Sequence, residues 1–106
     1  MSLIIILTKP PSHHAVTALI RILKYSSKPE LYACGDGVYS LLTASLTNKA
    51  IREILNKGGS VYASKEDIEA RGITANLIID GVKIEKAFYD VLVDGIMKDG
   101  SVPLVI

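Results

Sequence analysis

The sequence predicts one α/β domain of three layers, with a mostly parallel sheet of about five strands between helices. Three observations carry this. Short apolar runs such as residues 3–7 are continuous rather than alternating, which marks strands covered on both faces. Apolar residues at helical spacing follow these runs, and Pro or Gly punctuates the joins. Strand alternating with helix is the pattern of parallel βα units.

Residues 3–7 form the first strand, and Lys9-Pro10-Pro11 ends it because proline cannot donate to a ladder. Ser12 is placed to cap a helix whose stripe is Val16, Leu19, Ile20 and Leu23. Pro29 separates it from the second strand, residues 31–34. Val38, Leu41, Leu42 and Leu46 then resume the helical period with Asp36 as cap, and Thr47-Asn48 breaks it. A short helix carries Ile51, Ile54 and Leu55 and closes at Gly58-Gly59, ahead of a third strand over residues 60–63. Ser64-Lys65-Glu66-Asp67 has the form of a capping box, and Arg71-Gly72 supplies the stop, so a helix spans residues 65–71. Asp80-Gly81 between apolar runs reads as a hairpin turn. The βα rhythm instead asks for one parallel strand at residues 82–84, which is the preferred reading. Phe88, Val91, Leu92 and Ile96 define a last helix, Asp99-Gly100 turns the chain, and residues 102–106 give a final strand. Pro103 sends that strand to a sheet edge, or delays its start past the proline.

At 106 residues, with 49% hydrophobic and 22% charged, the chain has material for one core. A net charge of +1 and no basic stripe interleaved with aromatics argue against nucleic acid or an anionic membrane as direct partner. One cysteine makes no internal disulfide, and the first apolar run lacks a basic start and is short for a signal or a span. A cytoplasmic, reduced protein is expected. Tyr89, Val93 and Met97 make the last helix apolar beyond its core stripe, more than one sheet face buries, which points to an oligomer interface.

Chemistry is expected where the second strand hands over at Cys34-Gly35-Asp36-Gly37, because ligands gather at the carboxyl edge of open α/β sheets. Cys34 reads either as a small buried hydrophobe or as a thiolate favoured by the helix start, with Asp36 opposing that shift. Gly35-Asp36-Gly37-Val38-Tyr39-Ser40 is not a dinucleotide fingerprint: Ser40 replaces the third glycine and the motif follows the wrong strand. No cofactor is predicted. His13-His14 are neighbours about a quarter-turn apart, poor chelators without carboxylate or thiol at ligand spacing, although His13 with Lys9 is able to meet an anion. Ser64 lacks a nearby base and reads as a cap. Arg71 pairs with Asp67 at i, i+4 or serves an acidic partner.

Taken together, Thr8-Lys9, Asp36-Gly37-Val38-Tyr39 and the stretch Val61-Tyr62-Ala63-Ser64-Lys65-Glu66-Asp67-Ile68-Glu69-Ala70-Arg71-Gly72-Ile73 resemble the DsrE/DsrF/DsrH (TusD/TusC/TusB) sulfur-relay superfamily. The resemblance spans nearly the whole chain and is nearest to the DsrH/TusB branch. It implies a flavodoxin-like sheet, assembly into dimers or hexamers, as a homo-oligomer or with related DsrE/DsrF-like (TusD/TusC-like) subunits, and persulfide transfer toward tRNA 2-thiouridine or in sulfur oxidation. The carrier cysteine of the DsrE/TusD branch ends strand three, eight residues before the Arg-Gly glycine, and that count reaches Ser64 here. Serine carries no sulfane sulfur, so the expected role is a non-catalytic subunit. Two alternatives stand beside it. One is a persulfide carrier using Cys34. The other is a small-anion or nucleotide module at Lys9, His13 and Gly35 to Gly37.

Overall fold

A computed structural model of the chain describes residues 2–23, 25–26, 28–97 and 101–106; the Asp99-Gly100 turn and the side chain of Ile20 lie outside this description. In chain order the elements are β1 (Ser2–Leu7), α1 (His14–Leu23), β2 (Glu30–Ala33), a 3₁₀ helix (Gly35–Leu41) and α2 (Asn48–Asn56). Next come β3 (Ser60–Ser64), α3 (Lys65–Ala70), a second 3₁₀ helix (Ala75–Leu77), β4 (Lys83–Glu85), α4 (Phe88–Ile96) and β5 (Ser101–Val105). The five strands form one parallel sheet in the order β4-β3-β2-β1-β5.

This order explains the layers. Crossovers between parallel strands are right-handed, so three steps in one direction, β1 to β4, put their helices on one face, and the return from β4 to β5 puts α4 on the other. The core divides accordingly. One cluster joins Ile5, Leu7, Leu31, Ala33, Val61 and Ala63 of the sheet to residues of α1, α2, α3 and the first 3₁₀ helix. The second is smaller: Ile4, Tyr32 and Cys34 pack beneath Phe88 and Leu92 of α4. The expected three-layer α/β architecture with its parallel sheet is present, with a strand order that differs from the 2-1-3-4-5 of flavodoxin itself.

Pro103 lies in the edge strand β5, opposite Ile4. Ile106 N–H donates to the Ile6 carbonyl, so alternate residues, Pro103 among them, turn their nitrogen to the open side. The missing donor thus guards the free edge against a further strand. The opposite edge, β4, is only three residues long. It is a single parallel strand as preferred, and Asp80-Gly81 is a turn with Gly81 at φ 98° rather than the tip of a hairpin.

Two local expectations are corrected. The helical period from Val38 to Leu46 stops at Leu41 as a 3₁₀ helix, and Leu46 is 95% exposed. Tertiary pairing overrides the period: Leu42 forms an antiparallel bridge with Ile78, fixed by Thr43 N–H to Leu77 O and Ile79 N–H to Leu41 O, both 2.9 Å. The chain leaves the helix to reach that bridge. At the start of α1 the side-chain acceptor is His13 Nδ1, which takes the Ala15 N–H at 3.3 Å, in place of Ser12.

Candidate functional site

Adjacent strands whose helices leave to opposite faces open a crevice at their carboxyl ends. Here β3 continues into α3 on one face and β4 into α4 on the other, so the crevice falls at Ser64 and Glu85, which are paired in register. Cys34 is the neighbouring position on β2. Its N–H donates to Leu7 O at 3.0 Å, extending the β1–β2 ladder by one residue, and Ala33 stands opposite Ala63. Cys34 and Ser64 therefore stand side by side. Strand alternation sends both to the face that α4 covers.

The turn after Cys34 is held by two glycines with different tasks. Gly35 takes a left-handed conformation, φ 55°, and Gly37 approaches β1 so closely that a Cβ there would lie 2.1 Å from Leu7 O. The Gly35 N–H points across to α3 and donates to Asp67 Oδ2 at 3.0 Å. Asp67 in turn donates its own N–H to Ser64 Oγ at 3.3 Å, the predicted cap. Asp36 does not cap. It lies in the first turn of the 3₁₀ helix and receives Nε and Nη2 of Arg71 on Oδ1 at 3.2 and 3.0 Å. Arg71 also donates to the Asp67 carbonyl at 3.1 Å, and its guanidinium lies 5.9 Å from the Tyr39 ring centroid. One arginine thus ties the β2 turn to α3.

Electrostatics keeps this edge quiet. Burial, then the charge of Asp67, pushes the Cys34 thiol up, while Arg71 pulls the other way. Cys34 as a whole is 8% exposed. Tyr89 of α4 is within its electrostatic reach, the Cys34 charge being the first cause of that phenol's upward shift. Ser64 Oγ is engaged as a cap and is itself buried. As arranged, neither group is an activated nucleophile.

The sequence-predicted residues Cys34, Gly35, Asp36, Gly37, Ser64 and Arg71 come together. Among the described residues no hydrogen bond or ion pair joins Lys9 or His13 to this network: Lys9 is exposed, and His13 is engaged with Ala15 and stacked on His14 at 4.7 Å. Sequence reasoning missed Asp67 as the hub. Its signal was the unpartnered N–H that a left-handed Gly35 leaves behind, but the partner is 32 residues away. A groove of about 340 Å³ flanks the crevice, lined by Lys65, Glu66, Glu69 and Lys86. Above the face, Tyr89, Val93 and Met97 stand 61%, 57% and 77% exposed at four-residue spacing, a continuous apolar ridge along α4. Among the described residues no cluster of His, Cys, Asp and Glu fit to hold a metal ion occurs, and no helix is long and apolar enough to cross a membrane.

Residues 9–101 match the family described as DsrH like protein. No curated protein matches the chain. Three solved structures share its fold. A protein of unknown function, MTH1491 from Methanobacterium thermoautotrophicum, aligns with TM-score 0.82 at 17% identity over 99% of this chain and 98% of its own. BT1422 from Bacteroides thetaiotaomicron aligns with TM-score 0.75 at 18% identity over 99% and 94%. The ychN protein of E. coli aligns with TM-score 0.73 at 18% identity over 98% and 100%.

Proposed function

This chain belongs to the DsrH-like family, and from that premise we propose that it is a non-catalytic subunit of a cytoplasmic sulfur-relay complex, docking related DsrE/DsrF-like subunits through α4. The family assignment makes it a sulfur-relay-related protein. The observation that carries the subunit reading is the exposed ridge of Tyr89, Val93 and Met97 on the helix that covers the Cys34 and Ser64 face. Apolar surface left in water at this density is stabilised by a partner. The serine at the end of β3 supports the non-catalytic part, since its hydroxyl holds α3 and offers no sulfur. Such a subunit shapes and shields the edge from which a partner's persulfide acts, on the way to tRNA thiolation or sulfur oxidation. Replacing exposed Val93 by Glu is expected to release the subunit from its assembly while leaving its thermal unfolding within a few degrees of the parent. Sedimentation of Val93→Glu as an unchanged assembly contradicts the proposal.

A second reading rests on the register that sets Cys34 beside Ser64. In it, the Cys34 thiolate attacks the outer sulfur of a donor persulfide, the donor S–S bond breaks, and the donor leaves as thiolate while Cys34 becomes the persulfide. No net oxidant is needed. Sulfane sulfur detected on Cys34 in the isolated protein and lost in Cys34→Ser supports this reading, and its absence after incubation with a donor persulfide removes it.

A further inference from the structure

We infer that the groove between α1 and the start of α2 binds a small organic anion carrying a short aliphatic group. This goes beyond the subunit reading and does not depend on it. The groove encloses about 290 Å³ and is walled by Thr17 and Arg21 on one side and by Leu46, Lys49 and Ala50 on the other. None of these residues belongs to the Cys34 and Ser64 network.

Charge pairing is incomplete in this groove. Arg71 is shared between two carboxylates and Lys65 faces Glu69 at 3.9 Å, so those cations have local partners. Among the described residues Arg21 and Lys49 have none, although both border the same cavity. Glu53 also borders it and has a contact of its own, so the two cations outnumber the acid. An oxyanion seated between two cations gains charge-assisted hydrogen bonds that water at the open surface supplies less well. The Thr17 hydroxyl adds a donor on the α1 side, whereas the Thr47 hydroxyl is committed to Ser40 O at 2.6 Å.

The apolar requirement comes from the rim. Leu46 is 95% exposed, the most exposed large apolar side chain among the described residues, and the methyl of Ala50 lies in the same cavity. A ligand with a few methylenes covers both while its charged end meets Arg21 and Lys49. Small-molecule sites combine apolar walls with convergent polar groups; here the polar groups predominate and Leu46 and Ala50 supply the apolar part. Carboxylates and phosphate esters share the chemistry, and the cavity accommodates a short member of either class.

The test is a titration of the isotope-labelled protein with inorganic phosphate, butyl phosphate and butyrate at fixed ionic strength, read from backbone amide signals. Saturable shifts confined to Thr17, Arg21, Leu46, Lys49 and Ala50 are expected. Butyl phosphate is expected to bind about tenfold more tightly than inorganic phosphate, as two or so newly buried methylenes imply. The double variant Arg21→Gln/Lys49→Gln, at exposed positions, is expected to keep the parent spectrum elsewhere and lose the saturable response. Leu46→Ser is expected to erase only the advantage of the butyl group. Tighter binding of butyrate than of butyl phosphate assigns the ligand to the carboxylates, and the reverse to phosphate esters. Shifts that fail to saturate, or that persist in the double variant, overturn the inference.

Discussion

Cys34 and Tyr32 face the same side of β2, and burial shifts both in the same direction. For Cys34, burial and then Asp67 hold the proton on sulfur, against a smaller pull from Arg71. The unfolded chain gives up that proton near the ordinary thiol value, about 8.5, while the folded chain keeps it. The folded state is therefore the better proton binder above that value, and stability declines as pH rises through the window. Alkylation of folded protein at pH 7 is expected to run at least about tenfold slower than for the denatured chain, with a pH midpoint above that of a free thiol. A rate at pH 7 matching or exceeding free cysteine contradicts this account of the site. Tyr32 is driven up by burial first and by its hydrogen bond to Glu30, 3.0 Å, second, so its contribution is likewise lost in alkali. Tyr32→Phe is expected to cost about 1.5–3 kcal/mol in urea unfolding at pH 7, because a buried bond to a carboxylate is removed. The same variant is expected to show a shallower loss of stability above pH 10. Much of this edge was legible from sequence: the run ending at Cys34-Gly35 announces a strand end, and Ser64 announces a cap. The face on which Cys34 lies was not, because residues 31–34 are apolar on both sides and alternation carries no signal there. The Arg71 tie to Asp36 was also hidden, since 35 residues separate the two.

Helix α4 shows how an element is fitted to its sheet. Gly95 sits where an added Cβ would lie 2.2 Å from the Tyr32 hydroxyl, and that tyrosine is fixed by Glu30 and by stacking on Tyr62 at 4.7 Å. In an exposed helix, Gly to Ala gains up to about 1 kcal/mol from backbone entropy. Here the steric cost is larger, and Gly95→Ala is expected to destabilise by about 2 kcal/mol net in urea unfolding. In a Tyr32→Phe background the cost is expected to shrink, the signature of direct coupling. A stabilised Gly95→Ala would mean that the Tyr32 ring swings freely, against the packing described. The helix itself was readable from its apolar period, as was α3 from its capping box. The segment after Gly37 was not, since the same period suits an α-helix as well as a 3₁₀ turn that ends in the Leu42 and Ile78 bridge.

At the scale of the molecule, strands and helices in alternation dictate a parallel sheet, and Pro103 dictates an edge for the last strand. The strand order is another matter. Nothing local tells β4 to send its helix back across the whole sheet to β5, yet that single return places α4 on the second face and creates the crevice at Ser64 and Glu85. Among the described residues one helix covers this face of five strands and leaves its outer ridge in water, the surface on which we propose that a partner docks. We thus expect this chain to work as one subunit among related ones. The decisive measurement is the native mass of the complex isolated gently from its host, with identification of each component. A fixed stoichiometry is expected, with at least one related subunit bearing cysteine at the end of its third strand, and with an assembly that persists in Cys34→Ser. Recovery of this chain alone, as monomer or homo-oligomer, contradicts it.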